Sequence, residues 1–255
     1  DIKNNEVRIK HTAIGLNYID TYHRSGIYPL PKELPVCPGL EAAGEVIDIG
    51  NNVKTFNVGD RVAYASPPMG AYCDIRDFPE DKLIKVPDFI QNDDVASILL
   101  QGMTVEYLFE RLYKIKKNEF ILFHAAAGGV GLVASQWAKS IGCKMIGTVS
   151  TLEKAKIAKE HGCEHTINYK EENVSEKVME ITNNQGVKVV YDGVGKDTFQ
   201  ESINSLSVRG LLVSFGQSSG MVERLDMHET FNPKSLFYTR PNLMNYTLNR
   251  KDLIE

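Results

Sequence analysis

The sequence predicts an α/β protein in which a doubly wound parallel sheet follows a mainly-β domain. Three observations predict it. Short Val- and Ile-rich runs punctuated by turn residues fill the first hundred or so positions, and eight of the ten prolines lie at or before Pro87. After Lys116-Lys117-Asn118, strand-like runs alternate with helical stretches of about ten residues, the pattern of βαβ crossovers. Between the first of these runs and its helix stands a glycine-rich turn, Ala125-Ala126-Ala127-Gly128-Gly129-Val130-Gly131.

In the first part, strands are expected at Glu6–Ala13, Glu41–Ile49, Arg61–Ala65 and Leu83–Val86. Gly50-Asn51-Asn52, Val58-Gly59-Asp60, Ser66-Pro67-Pro68 and Val86-Pro87-Asp88 bound them with turn chemistry. A helix is expected from Asn92, with Asp93 and Asp94 in its first turn and Ile98 and Leu99 on its apolar face. Gly102 is expected to interrupt it before a second helical stretch at Thr104–Tyr113. In the alternating part, strands are expected at Phe120–His124, Lys144–Val149, His165–Asn168, Lys188–Asp192, Leu211–Phe215 and Leu236–Thr239. Helices fit between them at Val130–Ser140, Leu152–His161, Glu176–Thr182 and Thr198–Leu206. The expected division is a first domain at 1–97, a second at 98–243, and the start of a return to the first at 244–255. Both ends look like cuts through a larger protein, because Asp1-Ile2-Lys3 runs straight into a strand and Asp252-Leu253-Ile254-Glu255 stops within a helical pattern.

The 255 residues carry 29 Lys and Arg against 33 Asp and Glu, a net charge of −4, with 42% hydrophobic and 24% charged residues. That balance excludes a disordered tail, a collagen-like repeat and a polybasic arm, so nucleic-acid binding is not expected. Four scattered cysteines with no CxxC pair, and no visible signal peptide, lead to the expectation of a reducing, cytoplasmic setting. Phe120–Ala138 is 19 residues without a formal charge, long enough to span a bilayer. Its glycines and its change of periodicity instead mark a buried strand, a turn and a helix, so no membrane span is expected.

Read as a fingerprint, the turn is A-x-G-x-x-G, with Ala126 in the first glycine position, Gly128 in the second and Gly131 in the third. The second glycine lets the backbone approach a pyrophosphate, and the third lets the helix pack tightly on the strand. The helix start at Gly129 and Val130 directs N–H groups and a partial positive charge at the phosphates. The strand–turn–helix context is what gives the pattern its meaning: a Rossmann sheet and a dinucleotide. An NAD site wants an acidic residue about 20 positions on, at the end of the second strand. Ser150 stands there, with Lys154 one turn later; a hydroxyl and an ammonium suit a 2′-phosphate, so the expected cofactor is NADPH. Glu153 points the other way but reads as a solvated first-turn acid.

At this point the sequence resembles a known family. Gly15-Leu16-Asn17-Tyr18-Ile19-Asp20, Pro38-Gly39-Leu40-Glu41-Ala42-Ala43-Gly44-Glu45-Val46, Val58-Gly59-Asp60-Arg61-Val62 and Ala125–Gly131 occur in order. They are followed by Val190-Tyr191-Asp192-Gly193-Val194-Gly195, Val213-Ser214-Phe215-Gly216 and Tyr238-Thr239-Arg240-Pro241. This pattern is similar to that of the quinone oxidoreductases, which include ζ-crystallin, within the medium-chain dehydrogenase/reductase superfamily. The resemblance implies a GroES-like β domain beside the Rossmann domain. The zinc alcohol dehydrogenases of that superfamily bind catalytic metal through a Cys, a His in Gly-His-Glu and a further Cys or acid. The positions resembling the first two hold Asn17 and Leu40, a poor ligand and a non-ligand, so no metal is expected. His161-Gly162-Cys163-Glu164-His165 could pass for a metal site, but Gly162 reads as a helix cap that sends the two histidines out on different elements.

The resemblance also implies site residues. Asn17, Tyr22 and Tyr28 are placed at the nicotinamide and substrate pocket: Asn17 near the nicotinamide or quinone oxygen, the tyrosines as walls for a planar acceptor. The alternative is a polar turn capping the β domain. Thr104, expected to begin a helix, falls near the nicotinamide carboxamide or is an ordinary cap. Tyr169 falls near the adenosine 2′-phosphate or is an exposed strand-end residue. Phe215, Gly216 and Ser218 follow the fifth strand at its ligand-holding carboxyl end, although a buried Phe is also ordinary core. Arg240 lies beside the cofactor or is solvated. Glu41 is read structurally, as a carboxylate that pairs with an arginine, and His124 as a hydrogen-bonded core histidine.

Without metal, the expected chemistry is transfer of a hydride or of electrons from NADPH to an acceptor already electrophilic, a quinone or an activated enone. The alternatives are an enoyl or alkenal reductase, for which Tyr22 is the one candidate proton donor, and a non-catalytic NADPH- or RNA-binding protein. The apolar edge strand Leu236-Phe237-Tyr238-Thr239 is expected to pair with its twin in a homodimer.

Overall fold

In Glu6–Gly15 the side chains of Val7 and Ile9 alternate with Arg8 and Lys10, so one face can be buried and the other wetted; this stretch is β1. The computed structural model describes residues 1–31, 33–223 and 225–255. It divides into one unit of residues 1–103 with 244–255 and a second of residues 104–243.

The first unit is built on β1, β2 (Glu41–Ile49), β3 (Arg61–Ala65), β4 (Ile75–Pro79) and β5 (Ile84–Lys85). They form an antiparallel sheet in the order β4-β1-β2-β3-β5. Val7, Ile9, Val46, Phe56, Val62, Tyr64, Phe78 and Leu83 make its core. β4 was not expected from the sequence, because it is a charged edge strand with one buried residue, Phe78. Asp77 on it sits opposite Arg8 and accepts two hydrogen bonds from that guanidinium, at 2.7 and 2.9 Å. A short helix, α1 (Tyr18–Arg24), leaves the end of β1.

From Asn92 the chain forms α2 (Asn92–Glu106), which runs through Gly102 without a break and widens into a π-helical turn at Tyr107–Leu112. The interruption expected at Gly102 does not occur, and Thr104 lies inside this helix rather than at the start of one. The units divide within α2, between Met103 and Thr104.

The second unit alternates strand and helix: β6 (Phe120–Phe123), α3 (Gly129–Ile141), β7 (Lys144–Val149), α4 (Leu152–Glu160), β8 (His165–Asn168), α5 (Val174–Ile181), β9 (Val187–Asp192), α6 (Phe199–Ser205), β10 (Leu206–Ser214), α7 (Met227–Phe231) and β11 (Phe237–Thr239). Every pairing is parallel, in the order β11-β10-β9-β6-β7-β8. β10 starts earlier than its apolar run suggests because Leu206 already pairs with Val187, ahead of a register shift at which Arg209 takes a φ of +58°. Leu122, Ile146, Ile167, Val190 and Leu212 bring their strands together in a core closed by Val178 and Ile203. Strand order reverses between β6 and β9. The stretch Phe120–Ala138 is divided among strand, turn and helix, and no helix among the described residues is long and apolar enough to cross a membrane.

Two further helices, α8 (Leu243–Tyr246) and α9 (Arg250–Ile254), end the chain. In the first unit the Arg250 guanidinium donates to the carbonyls of Glu80, Asp81 and Leu83 and lies over the Phe56 ring.

A Cβ added at Gly102 would meet no atom within 4 Å. Gly102→Ala is therefore expected to stabilise the protein by about 0.5–1 kcal/mol, by removing backbone freedom from the unfolded chain. Urea denaturation checks this, and an unchanged or lowered midpoint would contradict a helix continuous through position 102.

Candidate functional site

In a doubly wound sheet, ligands bind beyond the carboxyl ends of the strands, where strand order reverses. Here that point lies between β6 and β9. The chain leaves β6 through Ala125, which takes a left-handed φ of +57°, and enters α3 through Gly128 in extended conformation. A Cβ on Gly131 would stand 2.5 Å from the Ala125 carbonyl oxygen and 2.6 Å from that of Ala126. The third glycine of the motif is thus what lets α3 start against the end of β6. Ala126 is fully buried, and its N–H donates to the Thr148 carbonyl at 3.0 Å.

The start of α3 differs from those of α4 and α5. Thr151 and Asn173 cap those helices with side-chain oxygens. At α3 the N-cap is Gly128, no side chain caps the end, and no acidic residue stands in the first turn. The N–H groups of Gly129, Val130 and Gly131 have no partner within the helix by its geometry, and with the helix dipole they suit an anion.

On one side of this turn Ser150 and Tyr169 follow adjacent strands, and Lys154 lies in the first turn of the next helix. β7 and β8 pair up to Val149 and Asn168, so Ser150 and Tyr169 leave adjacent strand ends, and the Tyr169 N–H donates to the Val149 carbonyl at 3.1 Å. Lys154 is exposed in the first turn of α4, with its backbone N–H on the Thr151 hydroxyl. Tyr169 is half exposed.

On the other side, the loops after β9 and β10 interlock. Phe215 and Gly216 donate their N–H groups to the Asp192 carbonyl. Gly216 packs so closely that a Cβ would stand 2.5 Å from the Gly193 carbonyl oxygen. The Phe215 ring lies 5.6 Å from that of Phe123. Ser218 is exposed, with its N–H on the Gly193 carbonyl. Arg240 donates to the Ser214 hydroxyl at 3.0 Å and to the Gln217 amide oxygen at 2.6 Å. The arginine thus ties the loop after β10 to the end of β11.

Sequence reasoning missed the buried polar groups below these loops. The Asp192 carboxylate accepts from the N–H groups of Val194 and Gly195 and from the hydroxyls of Thr198 and Ser202. His124 lies between Thr148 and Ser202 and is buried and hydrogen-bonded, as expected. The available signal was polar residues at the ends of otherwise apolar strands.

In the first unit, Asn17 starts α1 and is buried, with its N–H on Asp20 Oδ2 at 3.0 Å. Its Nδ2 donates to Glu41 Oε2 at 2.5 Å, and Glu41 Oε1 accepts from the Leu100 N–H at 2.8 Å. The arginine partner expected for Glu41 is therefore replaced by an amide and backbone; Arg61, on the neighbouring strand, holds Asn92 and the Ile90 carbonyl. Burial raises the Glu41 carboxyl above its ordinary value; the hydrogen bonds from Asn17, Leu100 and Leu99 oppose that shift, and Asp20 adds to it. Tyr22 is buried and Tyr28 half-buried, with their rings 5.1 Å apart. A cavity of about 260 Å³ lies beside α1, lined by Leu16, Asp20, Arg24, Leu34, Met69 and Tyr72 among others, but not by Tyr22 or Tyr28. Thr104 is buried inside α2, in the second unit.

Leu40 is buried and cannot ligate. Among the described residues no three His, Cys, Asp or Glu side chains converge as a metal site would require. His161 ends its helix with Nδ1 on the Ile157 carbonyl, while His165 lies on β8. A zinc centre does not fit the residues at these positions.

Residues 3–88 match the alcohol dehydrogenase GroES-like domain family, and residues 129–255 match the zinc-binding dehydrogenase family. The chain is 50% identical over 241 residues to the quinone oxidoreductase of Pseudomonas aeruginosa, covering 94% of this chain and 74% of that protein. It is 46% identical to the 2-haloacrylate reductase of a Burkholderia species, with 98% and 77% covered. The crystal structure of Escherichia coli quinone oxidoreductase complexed with NADPH superposes with a TM-score of 0.97 at 47% identity, over all of this chain and 78% of that one.

The raised Glu41 carboxyl has a consequence for stability. Its protonated form favours the folded state, so the contribution is full below the unfolded value near 4.5 and is lost as pH rises through the folded value. Wild type is expected to lose stability relative to Glu41→Gln as pH rises from 4 towards neutrality. Urea midpoints of both proteins across that range check it, and a difference that grows the other way contradicts the burial-driven shift.

Proposed function

The chain belongs to the quinone oxidoreductases of the medium-chain dehydrogenase/reductase superfamily, and from that membership we propose that it reduces quinones with NADPH. The observation that carries the reading is the uncapped start of α3 at the reversal of strand order, with the Ser150 hydroxyl, not a carboxylate, directly after β7 and Lys154 one turn on. Gly128, Gly129, Val130 and Gly131 would hold the pyrophosphate on backbone N–H groups, with Ala126 packed beneath. Ser150, Lys154 and Tyr169 would take the 2′-phosphate. Thr104, Phe215, Gly216 and Ser218 would border the nicotinamide half, with Arg240 fixing the loop that presents them.

NADPH held there would supply a hydride, which together with one proton from water accounts for the conversion of a quinone to its hydroquinone; delivery of one electron at a time is the alternative. The protein positions the two reactants and excludes solvent. In the first unit, Asn17, whose amide is held by Glu41, would face the acceptor oxygen, and Tyr22 and Tyr28 would offer aromatic faces. No step runs through a metal, because Leu40 and Asn17 cannot make a zinc site.

A second acceptor class has a specific observation behind it. The Burkholderia relative is named for reducing a 2-haloacrylate, an activated alkene. An activated enone therefore stays the alternative acceptor, with Tyr22 as its candidate proton donor. We further propose a homodimer through β11, whose Phe237 and Tyr238 are exposed on the sheet edge. A monomer mass in solution scattering would reject it. Four unpaired cysteines fit a reducing cytoplasm.

Titration of NADPH and NADH by fluorescence tests the cofactor assignment. Lys154→Ala and Ser150→Ala are expected to weaken NADPH about tenfold and to leave NADH nearly unchanged. Equal losses for both nucleotides would remove the 2′-phosphate site. Turnover with 1,2-naphthoquinone, compared with 2-chloroacrylate and a trans-2-enal, separates the acceptors; no oxidation of NADPH by any of them would overturn the enzymatic reading.

A further inference from the structure

The polar groups buried beneath the reversal point form one chain whose proton positions can be derived. Asp192 accepts only, so at 2.8 Å the Ser202 hydroxyl must donate to it. Ser202 has no second hydrogen, and His124 Nε2 lies 3.0 Å from its oxygen, so Nε2 carries a proton and donates. His124 is 1% exposed, and burial pushes its imidazole below the ordinary value, with Asp192 and Glu201 opposing. The ring is therefore neutral, Nδ1 has no proton, and it accepts from the Thr148 hydroxyl at 3.1 Å. The Thr148 oxygen in turn accepts the N–H of Ala125 at 3.2 Å. Donation runs in one direction, from Ala125 through Thr148, His124 and Ser202 to Asp192.

The two ends of this chain matter. Ala125 opens the glycine turn in a left-handed conformation that is unfavourable for a non-glycine residue. Asp192 holds the N–H groups of Val194 and Gly195, and so shapes the loop after β9. β6 and β9 are the strands between which sheet order reverses. The chain therefore crosses beneath the crevice and joins the loop on one side to the turn on the other.

We propose that His124, in its neutral Nε2–H form, is a positioning residue for the dinucleotide, coupling the phosphate-binding turn at Ala125 to the Asp192 loop. This rests on the NADPH reading given above. It makes the two loops one preorganised surface: a break at either end is felt at the other, because each donor has a single acceptor waiting for it.

Two measurements on the whole chain test this. Nitrogen-15 NMR of the His124 ring, assigned by its loss in His124→Gln, is expected to show the Nε2–H tautomer unchanged between about pH 6 and 8. An Nδ1–H tautomer, or titration in that range, overturns the chain of donation. Thr148→Val and Ser202→Ala cut it at separate links without altering charge. Each is expected to raise the Kd and KM for NADPH about tenfold with kcat unchanged, and the double variant no further, because both cut one coupled unit. Thr148→Ser, which restores the hydroxyl, is expected to return the Kd to within about twofold of wild type. Multiplying losses, or no rescue by serine, would mean independent structural effects and reject the coupling. If the variants do not fold, the ring measurement on wild type still decides the proton positions. Failure of the NADPH reading looks different: wild type itself then shows no affinity for the nucleotide.

Discussion

Two neighbouring parallel strands whose onward connections run to opposite sides of a sheet leave a gap that neither connection covers. In the second unit that gap lies beyond the ends of β6 and β9. It follows from chain order alone: β6, β7 and β8 are laid down in one direction, and β9, β10 and β11 in the other. Everything that marks the candidate cofactor site gathers around it. The glycine turn leaves β6 on one side, the Asp192 loop leaves β9 on the other, and Phe215 and Gly216 close against the second of these loops.

A crevice of this kind exposes backbone groups at the ends of buried strands, and a strand end in an apolar core needs partners for them. The protein answers with polar side chains that are themselves buried. Asp192, His124, Thr148 and Ser202 are all at most 1% exposed. A buried carboxylate without donors would be strongly destabilising, yet Asp192 has four groups donating to it. The network therefore supplies rigidity where the sheet's own hydrogen bonding ends. Rigid loops bind a ligand without first losing entropy on ordering, which is the gain a dinucleotide site needs.

Much of this was legible in the sequence because the second unit obeys local rules. Lys144–Val149 and His165–Asn168 are strands at the predicted limits, since each is a short stretch rich in β-branched residues that follows directly on a helix-ending glycine turn. The nucleotide turn was legible for the same reason: its glycines are required by contacts within a few residues, as Gly131 against Ala125 illustrates. What escaped was set by tertiary partners. β4 is a strand because Asp77 meets Arg8 and Phe78 meets the core, neither of which its own charged sequence announces. Gly102 does not break α2 because one interior glycine costs a helix only about 1 kcal/mol, which the packing of its buried residues on either side, such as Val95, Ala96 and Val105, outweighs. The partner of Glu41 was misjudged because Asn17 and Leu100 come to it through the fold, from 24 and 59 residues away.

The surroundings of Glu41 also bear on how the first unit, which matches the alcohol dehydrogenase GroES-like domain family, accommodates a buried acid. A carboxylate buried to 1% exposure needs compensation, and in a metal site a cation would offer it. With Leu40 beside Glu41 and Asn17 opposite, compensation comes from neutral donors: the Asn17 amide and the Leu100 N–H. Neutral donors lower the carboxyl's affinity for a proton less than a cation would, so burial prevails and the group is raised. The same hydrogen bond then fixes which way Asn17 faces. A residue type that is a poor metal ligand thus serves as the hydrogen-bonding partner of a buried acid, and the acid in turn holds its amide in one orientation.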